Sequence, residues 1–152
     1  MLLAEKGKYG EVYNQGSMRT NSVLSYLLIS LAEAGYPVSK IETFNGGKVV
    51  EDPIAPDTKE IFGISFEKTK IDDMMLRGKL EFTLEDGGIV AYADSERIKI
   101  AFDPNRFRPA EVPILLSDTT KIEKLGFNAK CSLKEVVNDQ LNHYLSEKER
   151  KG

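Results

Sequence analysis

Leu80-Glu81-Phe82-Thr83-Leu84-Glu85-Asp86-Gly87-Gly88-Ile89-Val90-Ala91-Tyr92-Ala93 is the stretch on which the fold class turns. Residues 80–84 and 89–93 are rich in β-branched and aromatic side chains and flank Glu85-Asp86-Gly87-Gly88, whose glycines tolerate the positive φ of a tight turn. An antiparallel hairpin is expected. Residues 97–102 alternate charged and apolar side chains, as a half-buried strand does, and Asp103-Pro104-Asn105 then turns the chain.

Helical periodicity takes over on both sides. Val23, Leu27 and Leu31, with Leu24 and Leu28, recur at helical spacing through Ala34, with Ser22 as candidate N-cap and Gly35 just past the end. A last helix is expected after Ser132, with Leu133, Val136, Val137, Leu141, Tyr144 and Leu145 on one face and a charged tail from Glu147. Asp118 is placed to cap a short helix over 119–125, stopped by Gly126. Glu11-Val12-Tyr13-Asn14-Gln15 reads as a short strand ended by Gly16-Ser17, and 112–116 as a compact apolar run. Prolines at 37, 53 and 56 and Gly46-Gly47 break any long period between 36 and 79, where one strand over 60–66 is expected. Leu2–Lys6 looks like the last turn of a helix stopped by Gly7, as if a segment preceded it. The expected architecture is α+β: a small mixed or antiparallel sheet with two or three packed helices and an inserted β-rich segment.

Composition narrows the function. The chain has 152 residues, 41% hydrophobic and 30% charged, which fits one domain with a real core. Its 21 Lys and Arg against 24 Asp and Glu leave a net charge of -3, with no electrostatic footprint for nucleic acid. One Cys and one His exclude an internal disulfide and a zinc site built from N and S ligands. No apolar run approaches the ~18 residues of a membrane span, and no signal-peptide core is visible, so a cytoplasmic protein without a membrane partner is expected.

Arg106, Arg108 and Glu111 form the strongest constellation. Guanidinium groups grip phosphate bidentately, and a carboxylate three residues on accepts hydrogen bonds from a sugar diol, a combination suited to a nucleotide diphosphate. The plainer alternative is a solvated pair of surface arginines. Asn14-Gln15-Gly16-Ser17 offers backbone amides to an anion, or is only a turn. Tyr36-Pro37-Val38-Ser39-Lys40 fits Tyr-x-x-x-Lys, but Pro37 argues against a continuous helix and the match reads as coincidence. His143 has no Ser or Asp pattern around it. No glycine-rich dinucleotide fingerprint follows any strand, so the chain should not bind NAD(P) by itself.

Taken together, Glu11-Val12-Tyr13-Asn14-Gln15-Gly16-Ser17, Asn21-Ser22-Val23 and Phe102-Asp103-Pro104-Asn105-Arg106-Phe107-Arg108-Pro109-Ala110-Glu111-Val112 resemble the carboxy-terminal half of extended short-chain dehydrogenase/reductases, in particular the GDP-mannose 4,6-dehydratases within the NAD-dependent epimerase/dehydratase group. The likeness continues through Leu115-Leu116-Ser117-Asp118-Thr119-Thr120-Lys121, Lys124-Leu125-Gly126-Phe127 and Ser132-Leu133-Lys134-Glu135, with Met18 where the family has glycine and Phe127 where it has tryptophan. It implies one domain, with a core over 9–34 and 97–146 and a variable insert over about 36–95. It also implies that Arg108 and Glu111 of an Arg-Pro-x-Glu motif hold the phosphate and the ribose of a nucleotide-diphosphate sugar. Arg106 and Asn14 are secondary candidates, and Arg106 has no role by this route. In that family a Rossmann half supplies NADP and the catalytic groups for oxidation at C4, water loss across C5 and C6, and hydride return. The resemblance thus implies no catalytic residue and no cofactor in this chain, and a lyase or epimerase activity only with a Rossmann half, for instance one on a separate chain. A face left bare of that half, or an insert used for association, implies a homo-oligomer.

Overall fold

The computed structural model describes residues 1–17, 19–61, 64–106 and 115–151, with side chains described outside 57–67 and 147–151. After a short α1, Leu2–Lys6, an extended segment leads to α2, Val23–Glu33. Ser22 caps α2 as its residue type predicts, its Oγ accepting from the Ser25 amide at 3.0 Å. The buried stripe of α2 runs through Leu28 with half-buried Leu24 and Leu31, while Val23 points to solvent.

Four strands form one antiparallel sheet. β1, Val38–Thr43, lies between β2, Val49–Glu51, and a later strand, and between β2 and that strand the chain makes a hairpin, β3, Pro56–Ile61, and β4, Ile64–Thr69. α3, Lys70–Leu76, follows directly, started by a capping box in which Thr69 Oγ1 accepts from the Asp72 amide and the Asp72 carboxylate accepts from the Thr69 amide. β5, Gly88–Ala93, and β6, Glu96–Ala101, complete the sheet in the order β2-β1-β5-β6. α4, Thr120–Glu123, and α5, Leu133–Lys151, close the chain. The α+β class is as expected, with an antiparallel sheet.

Register explains the core. Val50, Ile41, Ala91 and Ile98 stand side by side across the four strands, as do Thr43, Ile89 and Ile100 one step along. Ile41, Ile89 and Ala91 are buried in one cluster with Leu28 of α2 and Ile71 of α3. Burying each such aliphatic side chain contributes about 1.5–3 kcal/mol. Apart from Leu28, the buried members of this cluster lie between residues 38 and 93, within the stretch expected as an insert.

Several sequence expectations are corrected. Residues 80–84 are not a strand: 80–83 run without a ladder partner, and Leu84–Asp86 make a 3-10 turn ended by Gly87 at φ 71°. The hairpin is β5–β6, Ala93 pairing with Glu96 across Asp94-Ser95. Residues 11–15 are also not a strand: they run without a ladder partner, the Val12 carbonyl accepting from the Lys121 ammonium and the Asn14 side chain donating to the Asp118 carbonyl. Where a single strand over 60–66 is expected, two paired antiparallel strands, β3 and β4, lie over Pro56–Ile61 and Ile64–Thr69, and β1, β2 and α3 lie where no period is legible.

Candidate functional site

The carboxy-terminal segment packs on the amino-terminal one across more than half the chain. The Lys121 ammonium donates to the Val12 carbonyl at 2.8 Å, pairs with Glu11 and sits 4.6 Å from the Tyr13 ring centre. Its presence lowers the Glu11 carboxyl below the ordinary range by hydrogen bonding and charge. Asn14 Nδ2 donates to the Asp118 carbonyl at 3.3 Å. Gly16 lies so near the 117–119 segment that a Cβ on it would stand 3.3 Å from Ser117 Cβ, so a side chain there would press on Ser117. Asp118 Oδ1 accepts from the Thr120 amide at 3.0 Å, and hydrogen bonds from Thr120 lower its carboxyl. Farther along, the Arg19 guanidinium donates to the carbonyls of Cys131 and Ala129 at 2.8 and 3.4 Å. α5 then lies along α2, with Val137 buried and Glu33 held by Lys134 and Asn138 at 2.9 and 2.8 Å.

Arg108 and Glu111 lie outside the described residues, as does most of the apolar run expected over 112–116; Leu115 and Leu116 are exposed. Arg106 ends a 3-10 turn, Pro104–Arg106, that follows β6. Its side chain is 90% exposed and its Nε stands 4.0 Å from Asp103 Oδ2, so the guanidinium is available to a ligand. Asp103 shapes the turn: its Oδ1 accepts from the backbone amide and side-chain amide of Asn105 at 2.9 and 3.0 Å. Among the described residues no hydrogen bond or ion pair joins Asn14 to Arg106; the first is tied to the 118 backbone and the second stands at the exit of β6.

Two hollows flank the segment 80–84. One, of 370 Å³, has an apolar wall of Met75, Leu76, Leu80 and Phe82 and a polar end at Asn21 and Asp72. The other, of 320 Å³, is lined by Phe82, Leu84, Phe102, Asp103 and Arg106. Neither hollow is legible in the sequence, whose pattern over 80–84 suggests a strand, whereas 80–83 lie off the sheet and line the space beside Phe82.

The remaining sequence candidates separate. Tyr36 lies exposed between α2 and β1, and Lys40 is on β1, its ammonium 4.0 Å from the centre of the Tyr92 ring and 3.6 Å from Glu42, so the pair does not share a helix face. His143 is exposed on α5, edge-on to Tyr144. Among the described residues no three His, Cys, Asp or Glu side chains are grouped as metal ligands, and no helix is long and apolar enough to cross a membrane. No family model matches the sequence, and no solved structure matches the fold.

Proposed function

We propose that the chain is a nucleotide-sugar-binding domain of the type found in the carboxy-terminal half of GDP-mannose 4,6-dehydratases and related epimerases, with Arg108 on the diphosphate and Glu111 on the ribose. The observation that carries this reading is the pairing of residues 11–17 with residues 117–121. These are two of the stretches in which the resemblance lies, separated by about a hundred residues, and they meet through Lys121, Asn14 and Gly16. Contacts so specific over that separation fit a domain whose ends converge next to a ligand. Binding and positioning are the role; hydride transfer and NADP belong to a Rossmann half, whether or not on the same chain, and the domain by itself is catalytically silent.

The test is a chemical-shift titration with GDP and with UDP on the wild type and on Arg108→Ala. Saturable shifts near 106–111 that favour GDP and vanish in the variant support the reading. Spectra unchanged to millimolar nucleotide overturn binding by this chain.

A second reading is favoured by the core itself. The segment 38–101 supplies the sheet and every residue of its buried cluster except Leu28, and one sheet face bears Lys40, Tyr92, Arg97 and Lys99 rather than a covering helix. A non-catalytic association module built on that segment would be a homo-oligomer, and a strictly monomeric mass by light scattering at tens of micromolar chain removes it.

A further inference from the structure

We infer that the open face of the four-stranded sheet is the contact surface of a symmetric dimer, in which Glu51 on the β2 edge of one copy lies over Arg97 on the β6 edge of the other; this rests on the association reading above. Leu28 of α2 and Ile71 of α3 lie in the buried cluster on the opposite face. On the open face, register sets the side chains in two rows. Glu51, Lys40, Tyr92 and Arg97 stand side by side across the four strands, and Val49, Glu42, Val90 and Lys99 form the next row. The outermost members, Glu51, Val49, Arg97 and Lys99, are exposed. In the middle, the Tyr92 ring is packed between the Lys40 ammonium, 4.0 Å from its centre, and the Arg97 guanidinium, 5.6 Å from it, and its hydroxyl donates to Glu42 at 3.1 Å. The ring is thereby held in place before any partner arrives, which lowers the ordering cost of association, and Tyr and Arg are residue types that dominate binding energy at interfaces.

The charge pattern singles out a second copy as the occupant. Two sheets pack face to face about 10 Å apart, with strand directions within about 30° of each other. A two-fold axis parallel to the strands and between β1 and β5 sets β2 over the partner's β6, and β1 over the partner's β5. Glu51 then meets the partner's Arg97, Lys40 meets the partner's Tyr92, and Val49 meets the aliphatic stem of the partner's Lys99, each contact occurring twice. Glu42 keeps Lys40 at 3.6 Å and the Tyr92 hydroxyl from its own chain, so it enters the interface paired. An axis across the strands would set Arg97 over the partner's Lys99, and the two like charges disfavour it. The face spans roughly 15 Å across and 20 Å along the strands, less than the ~800 Å² per partner of a standard interface, so the dimer is weak and exchanges with monomer.

The experiment is sedimentation velocity of the full chain at low salt, from tens to hundreds of micromolar, on the wild type, Glu51→Arg, Arg97→Glu and the double variant. Both positions are exposed strand side chains, so the fold should persist, and an unchanged far-ultraviolet spectrum verifies it. The expected result is a monomer–dimer equilibrium in the wild type, and self-association weaker by at least about tenfold in either single variant, because symmetry repeats the repulsion at two contacts. The double variant should recover, since its opposite charges are restored with their places exchanged. An equimolar mixture of the two single variants should also associate, one being basic and the other acidic at both positions. A wild type that dimerises, with single variants that dimerise as well as it does, overturns this face and leaves the association reading standing. Weakening in the single variants without recovery in the double variant or the mixture overturns the pairing of Glu51 with Arg97. A wild type that stays monomeric throughout removes the association reading, and this inference with it.

Discussion

Asp72 is 2% exposed, yet both its oxygens are committed: Oδ1 to the Ser22 amide at 2.8 Å, Oδ2 to Asn21 Nδ2 at 3.0 Å and the Thr69 amide at 3.4 Å. One carboxylate thus caps its own helix and fastens the start of α2 to it. Burial opposes its ionisation, but the donors together outweigh burial and hold its carboxyl below the ordinary range. Asp72→Ala strands those donors and should cost about 2–3 kcal/mol in denaturant unfolding. Because the folded-state pKa is the lower one, the stabilisation is complete above the unfolded value of about 3.9 and is lost as pH falls through the folded pKa. Unfolding midpoints from pH 5 to pH 2 should therefore converge between wild type and Asp72→Asn; parallel curves would refute the linkage. Gly88 gives a steric case. Its φ is 147°, and a Cβ would stand 2.4 Å from the Ile100 carbonyl oxygen and 2.6 Å from the Phe44 ring. Gly88→Ala should lower stability by more than about 2 kcal/mol, since backbone as well as side chain must yield. The Thr69-x-x-Asp72 box is written locally in the sequence, but its contact with Ser22 depends on a fold that spans fifty residues.

At the scale of elements, legibility followed how local the signal was. α2 was readable from Ser22, the Leu24, Leu28, Leu31 spacing and Gly35, which takes φ 94°. α5 was readable from Ser132, which exchanges hydrogen bonds with Glu135 as a capping box. β6 was readable from its alternation, Glu96–Ala101. The hairpin was misplaced because Gly87-Gly88 resembles a hairpin turn, whereas those glycines end a 3-10 turn and admit close strand packing. The real turn uses Asp94, a non-glycine at φ 48°. That conformation costs an L-residue about 1–2 kcal/mol, less for Asp, whose side chain bonds locally. Asp94→Gly should therefore raise the free energy of unfolding, measured with denaturant, by up to about 1 kcal/mol. A turn at 85–88 would leave Asp94 in an ordinary strand end and make the same substitution neutral or harmful. β1 and β2 were illegible because prolines and glycines fragment the period around them, and only pairing with β5 makes them a sheet.

For the whole molecule, the residues named for the ligand and the residues that hold the fold are largely different ones. The described candidates, Asn14 and Arg106, are surface groups at segment ends, which is why residue types and family likeness could single them out while the recess at Phe82 could not be seen. That recess needs Phe82 and Phe102, twenty residues apart, to converge through the sheet. The same division predicts how the chain comes apart. The main buried cluster runs from Leu28 to Ala93, with Ile98, Ile100 and Phe102 against it, while Ile122 and Val137 are buried outside it. A chain ending at Arg106 would keep the sheet, α2 and α3 but uncover the side of α2 that faces Val137, and free Glu33 from Lys134 and Asn138. Losing the burial of Ile122 and Val137, about 1.5–3 kcal/mol each, together with that of the half-buried Leu133 and Leu141, should lower stability by several kcal/mol. The truncated chain should therefore keep slow amide exchange in β1, β5 and β6, unfold cooperatively at a lower midpoint, and bind an apolar dye more strongly than the full chain. Loss of protection throughout the sheet would show instead that α5 is required for the core, and that the two ends and the sheet form one cooperative unit.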